Sequence, residues 1–128
     1  MKIAALICRI LLGLVFFVFG LNKLYMFIPA TMPPGDAGAW TLLMVNHHWM
    51  AVVGVFETIG GLLLLSGRFV PLGLTLVAPI IVNILLFGFL FTHLALGSGI
   101  VVALLELFLI YAYRNYFAPL FTSKAQIS

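Results

Sequence analysis

The sequence predicts an all-α integral membrane protein: a four-helix bundle, antiparallel up-down-up-down, with a short interfacial or re-entrant helix in the first outer loop. Three observations predict it. Hydrophobic residues make up 65% of the 128 and charged residues only 7%, too few charges to surface a soluble domain. The apolar residues gather in four runs, about 3–27, 48–66, 70–91 and 99–117, each near the length that crosses a hydrocarbon core. Proline, glycine and polar residues break the chain between runs. The length suits a single domain, 1–128. The net charge of +3 is spread without a basic patch, which argues against nucleic acid. The expected surroundings are the lipid bilayer.

In the first run, Lys2 precedes an apolar stretch as in a signal peptide. Arg9 interrupts that stretch, however, and no small-x-small cleavage site follows, so a retained span is expected. Arg9, Gly13, Phe16, Gly20 and Lys23 recur at steps of three and four and share one helical face. Lys23 is placed either to snorkel to the nearer headgroups or to turn inward. Arg9 lies deeper, and an internal partner is expected for it. The lone cysteine, Cys8, forms no intrachain disulfide and no C-x-x-C pair, which excludes a self-contained thiol–disulfide oxidoreductase.

The outer loop spans 29–47. Pro29, Pro33, Pro34 and Gly35 stop the first helix. Asp36 is expected to N-cap a short helix from Ala37 to Val45, with Trp40 and Trp49 as interface anchors. His47 and His48 open the second run. Adjacent side chains point about 100° apart on a helix, and no third ligand stands at metal spacing, so polar interface residues are expected and no metal site.

The second run holds Glu57, with Gly54 and Gly61 on its own face. A carboxylate at bilayer depth normally turns inward and finds a partner, and the glycines let another helix approach. Thr58 can donate to that carboxylate or bond back to its own helix. In the third run, Pro79 removes one backbone bond and is expected to kink the helix. Asn83, one turn on, is expected to hydrogen-bond a neighbouring helix or a ligand. The fourth run holds Glu106, with Tyr113 seven residues on along the same face.

Four spans place both termini on one side. Lys2, Arg9, Arg68, Arg114 and Lys124 fall there and Lys23 falls opposite, which predicts cytoplasmic termini in a bacterial-type cytoplasmic membrane. Counting about 1.5 Å per residue puts Glu57, Asn83 and Glu106 within ~3 Å of one level. Arg9 falls ~7 Å to one side of that level. These depths predict one buried polar cluster of Arg9, Glu57, Asn83 and Glu106, a candidate ligand or proton site. Lys23, Thr58, Tyr113, His47 and His48 are secondary candidates.

Arg9-x-x-Leu12-Gly13, followed by Phe16-Phe17-x-Phe19-Gly20-x-x-Lys23, resembles the first helix of the DoxX family. Glu57-x-x-Gly60-Gly61 through Leu65-x-Gly67-Arg68 resembles its second helix. The run from Ala78-Pro79 to Asn83 and Phe87, and the end Tyr111-Ala112-Tyr113-Arg114, are similar to a DoxX-like subgroup. Related chains carry a histidine shortly after this asparagine, where this sequence has Gly88. The resemblance implies a four-helix membrane protein. It also implies an association with quinone-linked sulfur oxidation, terminal oxidase complexes or oxidative stress.

Three functions fit these residues. The first is a small membrane subunit of a redox assembly, with a quinone or another lipid-soluble ligand near the polar cluster. The chain shows no redox centre and no nucleophile constellation, so electrons would come from a membrane or redox protein partner. The second is a scaffold, assembly factor or chaperone, since glycine-lined faces also suit a partner helix or a second copy of the chain. The third is proton-coupled transport of a small solute, which four short helices without broken pairs favour least.

Overall fold

The computed structural model describes residues 1–25, 33–93 and 96–127. Every regular element among them is helical. Helix α1 spans Lys2–Leu24, α2 Gly35–Asn46, α3 Trp49–Ser66, α4 Val70–Leu90 and α5 Leu96–Ala112. A four-residue α6, Arg114–Phe117, and a 3-10 turn, Ala118–Phe121, follow. Helices α1, α3 and α4 are each long and apolar enough to cross a membrane. Helix α5 meets that length only together with Arg114–Phe121, from which it is bent by 82°.

Packing runs α1 to α3, α3 to α4, α4 to α5 and α5 back to α1, with α1 against α3 the most extensive interface. Each of these helices gives one narrow stripe to the centre. Leu12 and Phe16 come from α1, Leu64 from α3, Leu74, Val77 and Ile81 from α4, and Val102 and Leu109 from α5. The opposite faces stay apolar and exposed, for example at Leu6, Leu62, Val82, Leu104 and Leu107. In water such a surface would be a liability; in a bilayer it meets the lipid.

Close backbone approach explains the α1–α3 contact. A Cβ placed on Gly61 would lie 2.5 Å from the Phe17 nitrogen and 2.7 Å from the Gly13 carbonyl oxygen. One on Gly20 would lie 2.6 Å from the Thr58 nitrogen. Only glycine allows this distance, and inside lipid such dispersion contacts supply much of the association. They also set the register: Gly13 lies against Gly61 and Leu65, and Gly20 against Gly54 and Thr58.

The local signals were read with some errors. Helix α2 starts at Gly35 with Pro34 as its N-cap, and Asp36 sits in the first turn without a side-chain cap bond. Pro34 supplies the extended backbone that precedes a helix, so Asp36 falls two residues inside the cap. Pro79 lies inside α4, as the sequence places it. Helix α5 begins at Leu96 and stops at Ala112, where Arg114 bonds the Tyr111 carbonyl at 2.9 Å and lies 4.5 Å from the Tyr111 ring centroid. The expected end of the first span at 27, with Pro29, lies outside the described residues.

Candidate functional site

The α1–α3 register decides where the charges meet. Lys23 stands three residues after Gly20, and Glu57 three residues after Gly54. The helices run antiparallel, so Lys23 lies against Gly54 itself, where a Cβ would fall 2.8 Å from the Lys23 Cβ, and its long side chain reaches along α3 to Glu57. Lys23 Nζ lies 2.9 Å from Glu57 Oε1 and donates to Oε2 at 3.1 Å. The carboxylate side chain is 2% exposed and the lysine 27%. Two opposite charges removed from water together are far less costly than either alone. Thr58 does not join them; its hydroxyl donates to the Gly54 carbonyl at 2.7 Å, back along its own helix.

Two cavities flank this pair. One, of about 200 Å³, is lined by Lys23, Glu57, Trp40, Trp49, Asn83 and Phe87 with four smaller apolar side chains and Thr41. Its roof is α2, whose Trp40 ring sits 5.0 Å from that of Phe87 and 6.2 Å from that of Phe91. The other, of about 210 Å³, is lined by Val15, Phe16, Phe19, Lys23, Glu57, Ile84, Ser98 and Val102. Lys23, Glu57 and Ile84 belong to both. The ion pair is thus a polar partition between two apolar chambers.

An ammonium has three donors. Both Glu57 oxygens lie within 3.1 Å of Nζ, and among the described residues no other acceptor is bonded to it. The pair is neutral as a unit, so the site suits an uncharged apolar molecule carrying an acceptor oxygen. Asn83 brings an amide to the wall of the first chamber.

The structure brings Glu57 and Asn83 to one cavity and leaves the other expected partners apart. Arg9 is not the counter-ion of Glu57. Its Nη1 donates to the Leu64 carbonyl at 2.6 Å, with the Leu65 carbonyl at 3.5 Å, capping the end of α3. Counting depth from the ends of each apolar run misjudged this register. The glycines slide α1 along α3, so Arg9 reaches Gly67, roughly 15 Å of helix beyond Glu57. Glu106 is 4% exposed, and among the described residues both its oxygens lack a hydrogen-bond partner. It lines neither chamber. Tyr113 lines a separate cavity with Arg9. His47 and His48 lie exposed at the turn between α2 and α3, with His48 in the left-handed region at φ 60.

The walls contributed by Trp40, Ile84 and Phe87 escaped the reading of the sequence, because apolar residues in a membrane carry no positional signal. Lys23 and Glu57 each stood out as a charge in an apolar run, but their pairing follows from the backbone contact that sets the α1–α3 register.

Known proteins resemble the chain in sequence. The chain is 30% identical over 124 residues to YwoB of Bacillus subtilis (strain 168), itself described as uncharacterized, a match covering 91% of this chain and 80% of that protein. No solved structure matches. The DoxX family model matches residues 4–94, a stretch that holds Arg9, Lys23, Glu57, Asn83 and the glycines that set their register. On that match the chain belongs to the DoxX family.

Proposed function

We propose that the protein is a small membrane subunit of a redox assembly that holds a quinone, or a similar lipid-soluble ring compound, at the Lys23–Glu57 pair. The observation that carries this reading is the shared wall: one neutral ion pair lining two largely apolar cavities. A dry apolar cavity of about 150 Å³ accepts benzene. Each chamber, at about 200 and 210 Å³, therefore suits a single substituted ring or part of its tail. A ring carbonyl accepts from Lys23, and the Asn83 amide offers a second polar contact. Electrons come from a partner protein, since the chain holds no redox centre of its own. The functional associations implied by the family likeness favour the same reading.

In this reading α1, α3, α4 and α5 span the membrane up-down-up-down, both termini are cytoplasmic, and α2 lies at the outer interface. The scaffold reading draws less support. Gly13, Gly20, Gly54 and Gly61 would suit a partner helix, but they are consumed in the α1–α3 contact.

Trp40 and Trp49 line the first chamber, so the test has a built-in reporter. Titrating the protein in lipid nanodiscs with decylubiquinone is expected to quench tryptophan fluorescence saturably. Lys23→Met is expected to weaken that binding at least tenfold. Linear, non-saturating quenching in the wild type, with no quinone among co-extracted lipids, would remove the proposal.

A further inference from the structure

The third cavity is the largest of the three, about 580 Å³, and lies at the end of the bundle that holds Met1 and the end of α5. Its walls are Met1, Lys2, Ala5, Leu6 and Arg9 of α1, Gly67 after α3, and Ala112 and Tyr113 at the end of α5. Two cations line it and no carboxylate does. The three acidic residues of the chain are elsewhere: Asp36 begins α2, Glu57 is held by Lys23, and Glu106 stands seven residues before Tyr113. Arg68 and Arg114 directly follow the lining residues Gly67 and Tyr113 and add to the unbalanced positive charge.

Arg9 is only partly used. Nη1 serves the α3 carbonyls, and Nη2 and Nε donate to nothing among the described residues. The guanidinium lies against Gly67, where a Cβ would come within 2.7 Å of Nη1 and 3.4 Å of Nη2. Gly67 is also at φ 75, so a side chain there would be strained and would displace Arg9. The Tyr113 hydroxyl and the Lys2 ammonium add donors. Ala5, Leu6 and Ala112 supply an apolar flank, with Leu6 46% exposed to the surroundings.

We propose that this cavity binds the phosphate headgroup of an anionic phospholipid from the leaflet facing the chain termini. Arg9 and Lys2 take the phosphate oxygens, Tyr113 donates at the rim, and the acyl chains run down the Ala5–Leu6 side into the bilayer. Charge complementarity selects this occupant: juxtamembrane cations attract acidic headgroups, and basic pockets between helices hold them. The site is separate from the Lys23–Glu57 chambers and does not depend on the ligand proposed there.

Native mass spectrometry of protein released from vesicles of equal phosphatidylglycerol and phosphatidylcholine tests the proposal. Wild type is expected to retain phosphatidylglycerol preferentially. Each cation removed is expected to lower that preference about fivefold. Lys2→Gln is the cleaner variant, because Lys2 has no role in capping α3; Arg9→Gln is its deeper counterpart. Equal retention of the two lipids, or an unchanged preference in both variants, overturns the proposal. A parallel titration with inorganic phosphate separates the sources. Millimolar phosphate that stabilises the detergent-solubilised protein as well as phosphatidylglycerol does would assign the site to a soluble anion and overturn the lipid.

Discussion

Glu57 and Glu106 are almost equally hidden, 2% and 4% exposed, yet one is clasped by a cation and the other bonds no donor among the described residues. Desolvation is therefore similar for both, and the neighbouring helix makes the difference. Helix α3 is brought against α1 by interlocked glycines, close enough for Lys23 to close on Glu57 at 2.9 Å. Helix α5 meets α1 over a smaller interface, and no cation of α1 reaches Glu106. Burial alone does not give a carboxyl group a partner; helix register does.

The strongest way to break this comparison is to remove the cation. Lys23→Met leaves Glu57 buried and uncompensated, and is expected to destabilise the protein by about 3–5 kcal/mol. The measurement is reversible unfolding in mixed micelles. Lys23→Met combined with Glu57→Leu replaces the whole pair by apolar groups and is expected to recover most of the loss. A single-variant cost below about 1 kcal/mol would mean that the pair behaves as an exposed surface bridge, and the contrast with Glu106 would vanish.

Glu106 should respond in the opposite direction. Glu106→Leu removes two oxygens that bond to nothing, while keeping a similar volume. An unsatisfied buried polar group costs about 1–3 kcal/mol, so a stabilisation of up to that size is expected in the same assay. Glu57→Leu, by contrast, strands Lys23 and is expected to destabilise. A loss on Glu106→Leu as large as that for Lys23→Met would reveal a partner for Glu106 and dissolve the distinction.

The register itself is open to a smaller test. Gly61→Ala pushes a methyl group into the Phe17 and Gly13 backbone, which cannot swing aside as a side chain would. Such overpacking is expected to cost about 1–3 kcal/mol and to loosen the ion pair. Gly97→Ala is the control, because a Cβ there has nothing within 4 Å. Equal effects at both positions would remove the glycine interlock as the cause of the pairing.

Much of this was legible in the residues. Composition and the four apolar runs led to helices in a membrane, because lipid admits few other ways to satisfy a backbone. Glu57 stood out because a charge there is rare, and its flanking glycines marked the face that packs. The partner did not follow. Counting depth from the ends of each apolar run assumes that hydrophobic length sets register, whereas here backbone contact at Gly13, Gly20, Gly54 and Gly61 sets it. That shift moves Arg9 to the end of α3 and brings Lys23 to Glu57. The cavity walls were less legible still: Trp40 of α2 reaches Phe87 of α4 across the intervening α3 in the chain, a contact no local pattern encodes.

Thr58 offers the smallest and most discriminating test of the pair. From the sequence its hydroxyl had two outlets, the Glu57 carboxylate or the carbonyl one turn back. In the structure it donates to Gly54 at 2.7 Å, so it supports its own helix rather than the charge. Thr58→Val keeps the shape and removes only that bond. A residue that merely bonds back along a helix contributes little, since the carbonyl already accepts within the helix. The expected change is therefore below about 1 kcal/mol, with quinone affinity unchanged. A loss approaching that of Lys23→Met would make the hydroxyl a second support of Glu57, and the carboxylate would then owe its place to its own helix as much as to α1.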